Sequence, residues 1–355
     1  MTISSTPPVP SRLTGSAVPR GERPAALFAM APEHLPALFP PRLLNRLTSL
    51  LDIDVSLVAE RFDQESLAPA LARTEILITG WGAPPLDSAA LAAAPRLRAV
   101  LHAAGTVRGM IGEPCWERGL AVSSAAHANA LPVAEFTVAT VLLAGKNAFG
   151  LRESLRTGHR LPPRPADLAA IGNFGRRVGI IGASRVGRRV LELLRPFNLK
   201  VCLSDPYVDA AEAARLGVDL VSLDDLLAGS DIVSLHAPDV PQTYRMLNRR
   251  RLAAIPDGAT LINTSRGALI DPEALSDELT SGRLNAVLDV TEPEPLPGDS
   301  PLYDLPNVFV TPHIAGSLGN ELERLGRAVV EEAERLVDGL PLLHQVLRTD
   351  LGRIA

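Results

Sequence analysis

Within the run VGIIGASRVGRRVLELLRPFNLKVCLSDPY, Gly182 and Gly187 flank Ser184, Arg185 and Val186, and Asp205 follows at the end of the next apolar segment. An apolar run, a glycine turn, a Leu- and Val-rich stretch of helical character and a second apolar run ending in an acid have the order of a βαβ unit. Glycine in the first place of such a turn permits the sharp reversal, and glycine in the third lets the helix lie against the strand. The middle place, where backbone must approach a pyrophosphate, is Ser184, whose side chain takes room there but whose hydroxyl is able to donate to phosphate. An acid at the tip of the second strand, about 20 residues on, accepts from ribose hydroxyls. These residues predict a dinucleotide site. Asp205 predicts NAD over NADP, because a 2′-phosphate would meet like charge and no arginine follows in DPYVDAAEAA.

A turn of this kind needs a parallel sheet beneath it. Over residues 25–126 the runs AALFAMA, IDVSLVA, EILITGW, LRAVLHAA and LAVSSAA alternate with Leu- and Ala-rich stretches, and over 129–314 VGIIG, KVCLS, DIVSLH, TLINTS, NAVLDV and NVFVTP do the same. Nearly continuous apolar strands separated by helices are expected where crossovers bury both faces of a parallel sheet. The last periodic stretch (Leu322, Leu325, Val329, Val330, Ala333, Leu336, Val337) reads as an amphipathic helix stopping near Gly339. A chain of 355 residues exceeds one ordinary core. The expected fold is α/β, with two doubly wound parallel-sheet domains.

Composition narrows the partners. The formal net charge of -5 supplies no global positive field to gather nucleic acid, so an anionic substrate must be held by local charges. Cys115 and Cys202 have neither metal-ligand nor disulfide-framework spacing, so no metal is expected and a reducing cytoplasm fits. Residues 1–24, rich in Ser and Pro, lack the apolar core of a secretion signal and read as a disordered tail. The most apolar stretch, 136–145, is shorter than the roughly 20 residues of a membrane span, so no crossing is expected.

The segments NTSRGALID (263–271), LDVTEPEPLP (288–297) and TPHIAG (311–316) resemble, in order, signatures of the D-isomer-specific 2-hydroxyacid dehydrogenases. DIVSLHAPDVPQTYRMLN is similar to that family's second cofactor signature and ANALPVAE to its interdomain helix, and the resemblance covers about 97–346. It implies a Rossmann NAD-binding domain (128–317) inserted into a flavodoxin-like substrate domain (25–127 with 318–346), and a homodimer. It implies Arg266, Glu294 and His313 as catalytic residues, and Gly105 and Thr106 of AAGTVRG as holders of the substrate carboxylate. It places His236, Ala237, Pro238, Thr243, Thr264, Ser265 and Gly316 at the cofactor, with Asp289 near the nicotinamide carboxamide.

The three catalytic types belong together chemically. Interconverting an alcohol and a ketone by hydride transfer needs a proton donor in one direction and an acceptor in the other, which suits His313. A carboxylate on the far ring nitrogen fixes the tautomer and favours imidazolium, the role of Glu294; Glu292 is its nearest competitor, and Glu294 precedes Pro-Leu-Pro as in the family pattern. The planar fork of Arg266 can clamp a carboxylate and polarise a 2-oxo group. The expected activity is hydride transfer between NAD(H) and a small 2-hydroxy or 2-oxo acid, of D-2-hydroxyacid dehydrogenase or glyoxylate/hydroxypyruvate reductase type. The alternative is an NADH-sensing, corepressor-like interaction protein on the same fold. Phosphoglycerate would require added positive charge near the loop, for which Arg108 and His102 are the candidates. His102 and Trp81 stand at strand ends that could face the cleft.

Overall fold

The computed structural model describes residues 23–159, 168 and 171–352; residues 1–22 of the expected tail lie outside the described residues. The first sheet contains β1 (Ala25–Ala29), β2 (Asp52–Ala59), β3 (Ile76–Thr79), β4 (Ala99–His102) and β5 (Ala121–Ser124) in the order β2-β1-β3-β4-β5, all parallel. The second contains β6 (Arg177–Ile181), β7 (Lys200–Ser204), β8 (Asp219–Leu220), β9 (Ile232–Leu235), β10 (Thr260–Asn263), β11 (Asn285–Leu288) and β12 (Val308–Val310). Its order is β12-β11-β10-β9-β6-β7-β8, again parallel. The expected α/β class with two doubly wound parallel sheets is therefore the class observed.

The strand sequences explain their places. Central strands β3, β4, β9 and β10 are buried along their whole length, as helix-covered parallel strands must be. Edge strand β2 exposes four of its eight residues and fully buries only one, and both residues of β8 are exposed. Alternation divides each sheet into two apolar layers: Ile76 and Ile78 of β3 pack with Phe28 and Phe39, whereas Leu77 packs with Leu27 and Val100. After the seven-stranded sheet the chain returns to the first layer, where helix Leu322–Val337 buries Leu325, Val329 and Ala333 against Phe39, Leu43 and Leu47.

The crossing between sheets is made by helix Ala126–Gly145. With 20 residues and a mean hydropathy of 1.4, it is long and apolar enough to cross a membrane, which corrects the shorter apolar stretch read from sequence. Most of the helix is buried within the protein, and Ala134, Val138, Val141 and Ala144 enter the core with Val178, Ile180 and Val190. Packing of one helix between two sheets demands apolar residues around much of its circumference.

Candidate active site

Parallel strands end on one edge, so every turn that leaves a strand's C-terminal end shares that edge. On the larger sheet this edge carries Gly182 after β6, Asp205 after β7, His236 after β9, Arg266 after β10, Glu294 after β11 and His313 after β12. On the smaller sheet it carries Trp81 after β3 and Gly105 and Thr106 after β4. The two edges face each other across a cavity of about 230 Å³. Its wall joins Gly105 and Thr106 to Ser184, Arg185 and Val186, to His236, Ala237 and Pro238, and to Thr264, Ser265 and Arg266. Gly182, Gly187, Asp205, Thr243, Asp289, Glu294, His313 and Gly316 are not part of that wall.

The glycine turn is built by close approach. Gly182 has φ +96°, and a Cβ there would lie 2.7 Å from the Ala237 backbone nitrogen, so the turn after β6 is pressed against the turn after β9. Ser184 is the N-cap of helix Arg185–Leu194, its Oγ accepting from the Gly187 N–H at 3.3 Å. The role expected of it, a donor to phosphate, is thus joined by a capping role, and the two are compatible because the hydroxyl proton is still free to donate. Asp205 is held from both sides: Oδ2 accepts the Ala183 N–H at 2.7 Å and Oδ1 the Tyr207 N–H at 2.7 Å. The His236 ring is buried, paired through Nε2 with Ser234 Oγ at 2.9 Å, and its buried Nδ1 has no hydrogen-bond partner among the described residues. Burial pushes His236 down to about 3, so the ring is neutral. The Thr264 hydroxyl pairs with Thr137 Oγ1 at 3.0 Å. Thr243 turns back on its own loop, donating to the Pro238 carbonyl at 2.5 Å. A turn closed to any Cβ, a helix N-terminus and a fixed carboxylate at the next strand end fit NAD.

His313 sits at φ +54°, its backbone N–H donating to the Asp289 carbonyl at 3.0 Å. Its Nδ1 is 2.6 Å from Glu294 Oε1, and Nε2 makes no protein hydrogen bond among the described residues. Both side chains are about half exposed. Glu292, the competing acid, instead lines a separate small cavity under the loop, its Oε2 buried without a hydrogen-bond partner among the described residues. Asp289 is buried, and its carboxylate accepts from the Thr311 hydroxyl (2.5 Å) and from the Ile314 and Ala315 N–H groups (2.8 and 2.9 Å). The resemblance placed Asp289 beside the carboxamide; the structure shows its oxygens bracing the turn that carries His313.

Arg266 leaves a turn fastened by a residue to which sequence reasoning gave no role. Asn263, fully buried at the end of β10, donates through Nδ2 to the Arg266 carbonyl (2.8 Å) and accepts the Ser265 N–H (3.0 Å). A Cβ on Gly267 would lie 2.1 Å from the Thr291 carbonyl, so this turn is packed directly on the loop leading to Glu294. Asn129 was also missed. It lines the cavity, and its Oδ1 takes the Ser317 N–H at 2.8 Å, 188 residues away, just after the His313 turn. Its only signal in the sequence is its place in ANALPVAE.

On the smaller domain the Gly105 and Thr106 N–H groups donate to no protein acceptor among the described residues, as a carboxylate cradle requires. His102 is buried and paired with Thr79 Oγ1 at 2.9 Å, and burial pushes it down to about 4. Trp81 is partly exposed, edge-on to His34 with ring centroids 5.5 Å apart. Both cysteines are free and buried, and no group of three or more His, Cys, Asp or Glu among the described residues has the geometry to hold a metal ion.

Residues 138–315 match the family described as D-isomer specific 2-hydroxyacid dehydrogenase, NAD binding domain. The chain is 34% identical over 278 residues to a D-3-phosphoglycerate dehydrogenase of Mycobacterium tuberculosis, covering 78% of this chain and 52% of that protein. It is 32% identical over 249 residues to a glyoxylate reductase of Korarchaeum cryptofilum, covering 70% of this chain and 75% of that one. The crystal structure of a phosphoglycerate oxidoreductase from Rhizobium etli superposes with a TM-score of 0.78 at 25% identity, covering 93% of this chain and all of that one. The chain spans about half the length of the phosphoglycerate dehydrogenases it matches. With the family's order of motifs laid along one sheet edge and these relatives beside it, the chain belongs to the D-isomer-specific 2-hydroxyacid dehydrogenases and carries their NAD-binding domain.

Proposed function

We propose that the protein interconverts a small 2-oxo acid and the corresponding D-2-hydroxy acid, with NAD(H) as redox partner. The observation that carries this reading is the His313–Glu294 pair at 2.6 Å, standing on the same sheet edge as the dinucleotide turn. The names of its relatives, phosphoglycerate dehydrogenase and glyoxylate reductase, support a 2-hydroxy or 2-oxo acid as substrate. When bound, the nicotinamide supplies or accepts the hydride.

The chain's own groups do the rest. The free N–H groups of Gly105 and Thr106 bind the substrate carboxylate, and the Arg266 fork polarises the 2-oxo group. In reduction His313 gives a proton from Nε2 to the carbonyl oxygen, and in oxidation it takes the hydroxyl proton back. Glu294 holds the Nδ1–H and stabilises the imidazolium, so the ring is aimed before substrate arrives. Two copies of the chain pair through the larger domain, where Leu143, Leu155, Tyr303 and Phe309 are exposed and Phe149 stacks on Phe309 with centroids 4.6 Å apart.

The test is NADH consumption by the purified protein with glyoxylate, hydroxypyruvate and phenylpyruvate, alongside a direct NADH-binding titration. Turnover of at least one acid is expected. Tight NADH binding with no turnover of any of them would overturn the reading in favour of the NADH-sensing interaction protein.

A further inference from the structure

Two basic side chains stand beside the loop that carries Gly105 and Thr106, and both are committed to the protein. His102 is buried under the loop and bonded to Thr79. Arg108 is exposed, yet its guanidinium leaves the loop in two directions: Nη1 donates to the Asp239 carbonyl at 3.0 Å and Nη2 to the Leu351 carbonyl. Its backbone N–H donates to Thr106 Oγ1 at 3.2 Å, which closes the loop on itself. Asp239 follows His236, Ala237 and Pro238, the wall of the cavity on the cofactor domain. Leu351 belongs to the C-terminal segment, which is fastened to β5 by the Val346 N–H on the Val122 carbonyl at 2.8 Å. One side chain therefore ties together the carboxylate-binding loop, the cofactor wall and the C-terminal segment.

Neutral carbonyls as partners decide what this arginine is for. A planar fork with donors on diverging nitrogens can span two fixed acceptors, whereas a lysine ammonium is a single point. A phosphate ester adds between one and two further negative charges at neutral pH and calls for charge-assisted donors. The arginines on the cavity wall, Arg185 and Arg266, stand on the cofactor domain, at the helix N-terminus and in the turn after β10, and Arg108 is not part of that wall. Beside the loop on the substrate domain, His102 and Arg108 are both already engaged by protein groups.

We propose that Arg108 is a positioning residue that fixes the carboxylate-binding loop against the cofactor wall, and not a ligand for substrate, so that the site takes 2-oxo acids with one negative charge in preference to phosphorylated ones. The proposal rests on the 2-oxo acid reading of the site. It departs from the name carried by the phosphoglycerate dehydrogenases to which the chain is 34% identical.

Hydroxypyruvate and 3-phosphohydroxypyruvate, the same 2-oxo acid without and with phosphate, form the test pair. They are assayed with the unchanged protein, Arg108→Ala and Arg108→Lys, with NADH affinity followed by fluorescence. Hydroxypyruvate should be favoured in kcat/KM by about tenfold or more in the unchanged protein. Arg108→Ala should raise KM for both acids by a similar factor, roughly tenfold, with a smaller change in kcat and NADH affinity retained, and Arg108→Lys should behave like Arg108→Ala. A preference for the phosphorylated acid, or a loss in Arg108→Ala confined to it and restored in Arg108→Lys, would overturn the proposal. Amide hydrogen exchange of the NADH-bound protein gives a readout independent of turnover: residues 103–111 should exchange faster in Arg108→Ala. Unchanged exchange there refutes the positioning role even if neither acid is reduced, an outcome in which the 2-oxo acid reading fails separately.

Discussion

An imidazole with a carboxylate 2.6 Å from one nitrogen has a fixed tautomer and a fixed orientation, and both effects end when either partner is removed. His313→Asn is therefore expected to lower kcat by roughly 10²-fold to 10⁴-fold, with NADH affinity in a fluorescence titration nearly unchanged. Added to His313→Asn, Glu294→Gln should cost less than about threefold more, because its partner is already gone. Full additivity of the two losses would show that Glu294 acts through some other group. Asp205 makes a different prediction. Its carboxylate is fixed by the Ala183 and Tyr207 N–H groups, so its charge has a definite place at the end of β7. Asp205→Ala should narrow the preference for NADH over NADPH by about tenfold, read as the ratio of two dissociation constants. A ratio that stays constant would remove Asp205 from cofactor choice.

At the scale of elements, the site depends on loops that press on one another. Asn263 shapes the turn after β10 and Asp289 braces the turn after β12, while Gly267 lets the first of these lie on the backbone at Thr291. Gly267→Ala would place a methyl 2.1 Å from the Thr291 carbonyl, so the Arg266 turn and the Glu294 loop must part. Overpacking of this kind costs about 1–3 kcal/mol, which the domain can tolerate, whereas displacement of catalytic groups by about 1 Å costs on the order of 10²-fold in rate. The variant should fold, melt slightly lower and lose most of its kcat. Full activity at normal NADH affinity would mean that the loops do not need this contact.

On the scale of the whole molecule, the buried histidines make stability depend on pH. His102 is held down to about 4 and His236 to about 3, both by burial, while an unfolded chain takes up the same protons near 6.5. Below 6.5 the unfolded state binds more protons than the folded one, so stability is fully present above that pH and falls as pH drops toward 4, by about 1.4 kcal/mol per unit per group. Denaturant unfolding at pH 7.5, 6 and 5 measures the slope, and His102→Gln should flatten it. A slope that His102→Gln leaves unchanged would locate the proton uptake elsewhere. Pairing of two copies through Leu143, Leu155, Tyr303 and Phe309 is checked by light scattering: a dimer is expected at micromolar concentration, and Phe309→Asp should yield monomer. A monomeric unchanged protein would refute the pairing.

Much of this architecture was legible because it is local. Strand runs, helical periodicity and the spacing of Gly182, Gly187 and Asp205 are properties of short segments, and parallel strands with helical crossovers leave few ways to arrange them. The order of NTSRGALID, LDVTEPEPLP and TPHIAG carried the family in the same linear way. Partners across space were not legible. Sequence preferred Glu294 to Glu292 only through the family pattern before Pro-Leu-Pro, whereas the folded loop sets Glu294 2.6 Å from His313 and turns Glu292 to a separate small cavity. The brace that Asp289 gives the His313 turn, the bond from Asn129 to Ser317 and the reach of Arg108 to Asp239 and Leu351 likewise join segments far apart in the chain. Periodicity records which face of an element is apolar. Which polar group meets which depends on how two sheets set their C-terminal edges against each other, and that is decided by tertiary packing.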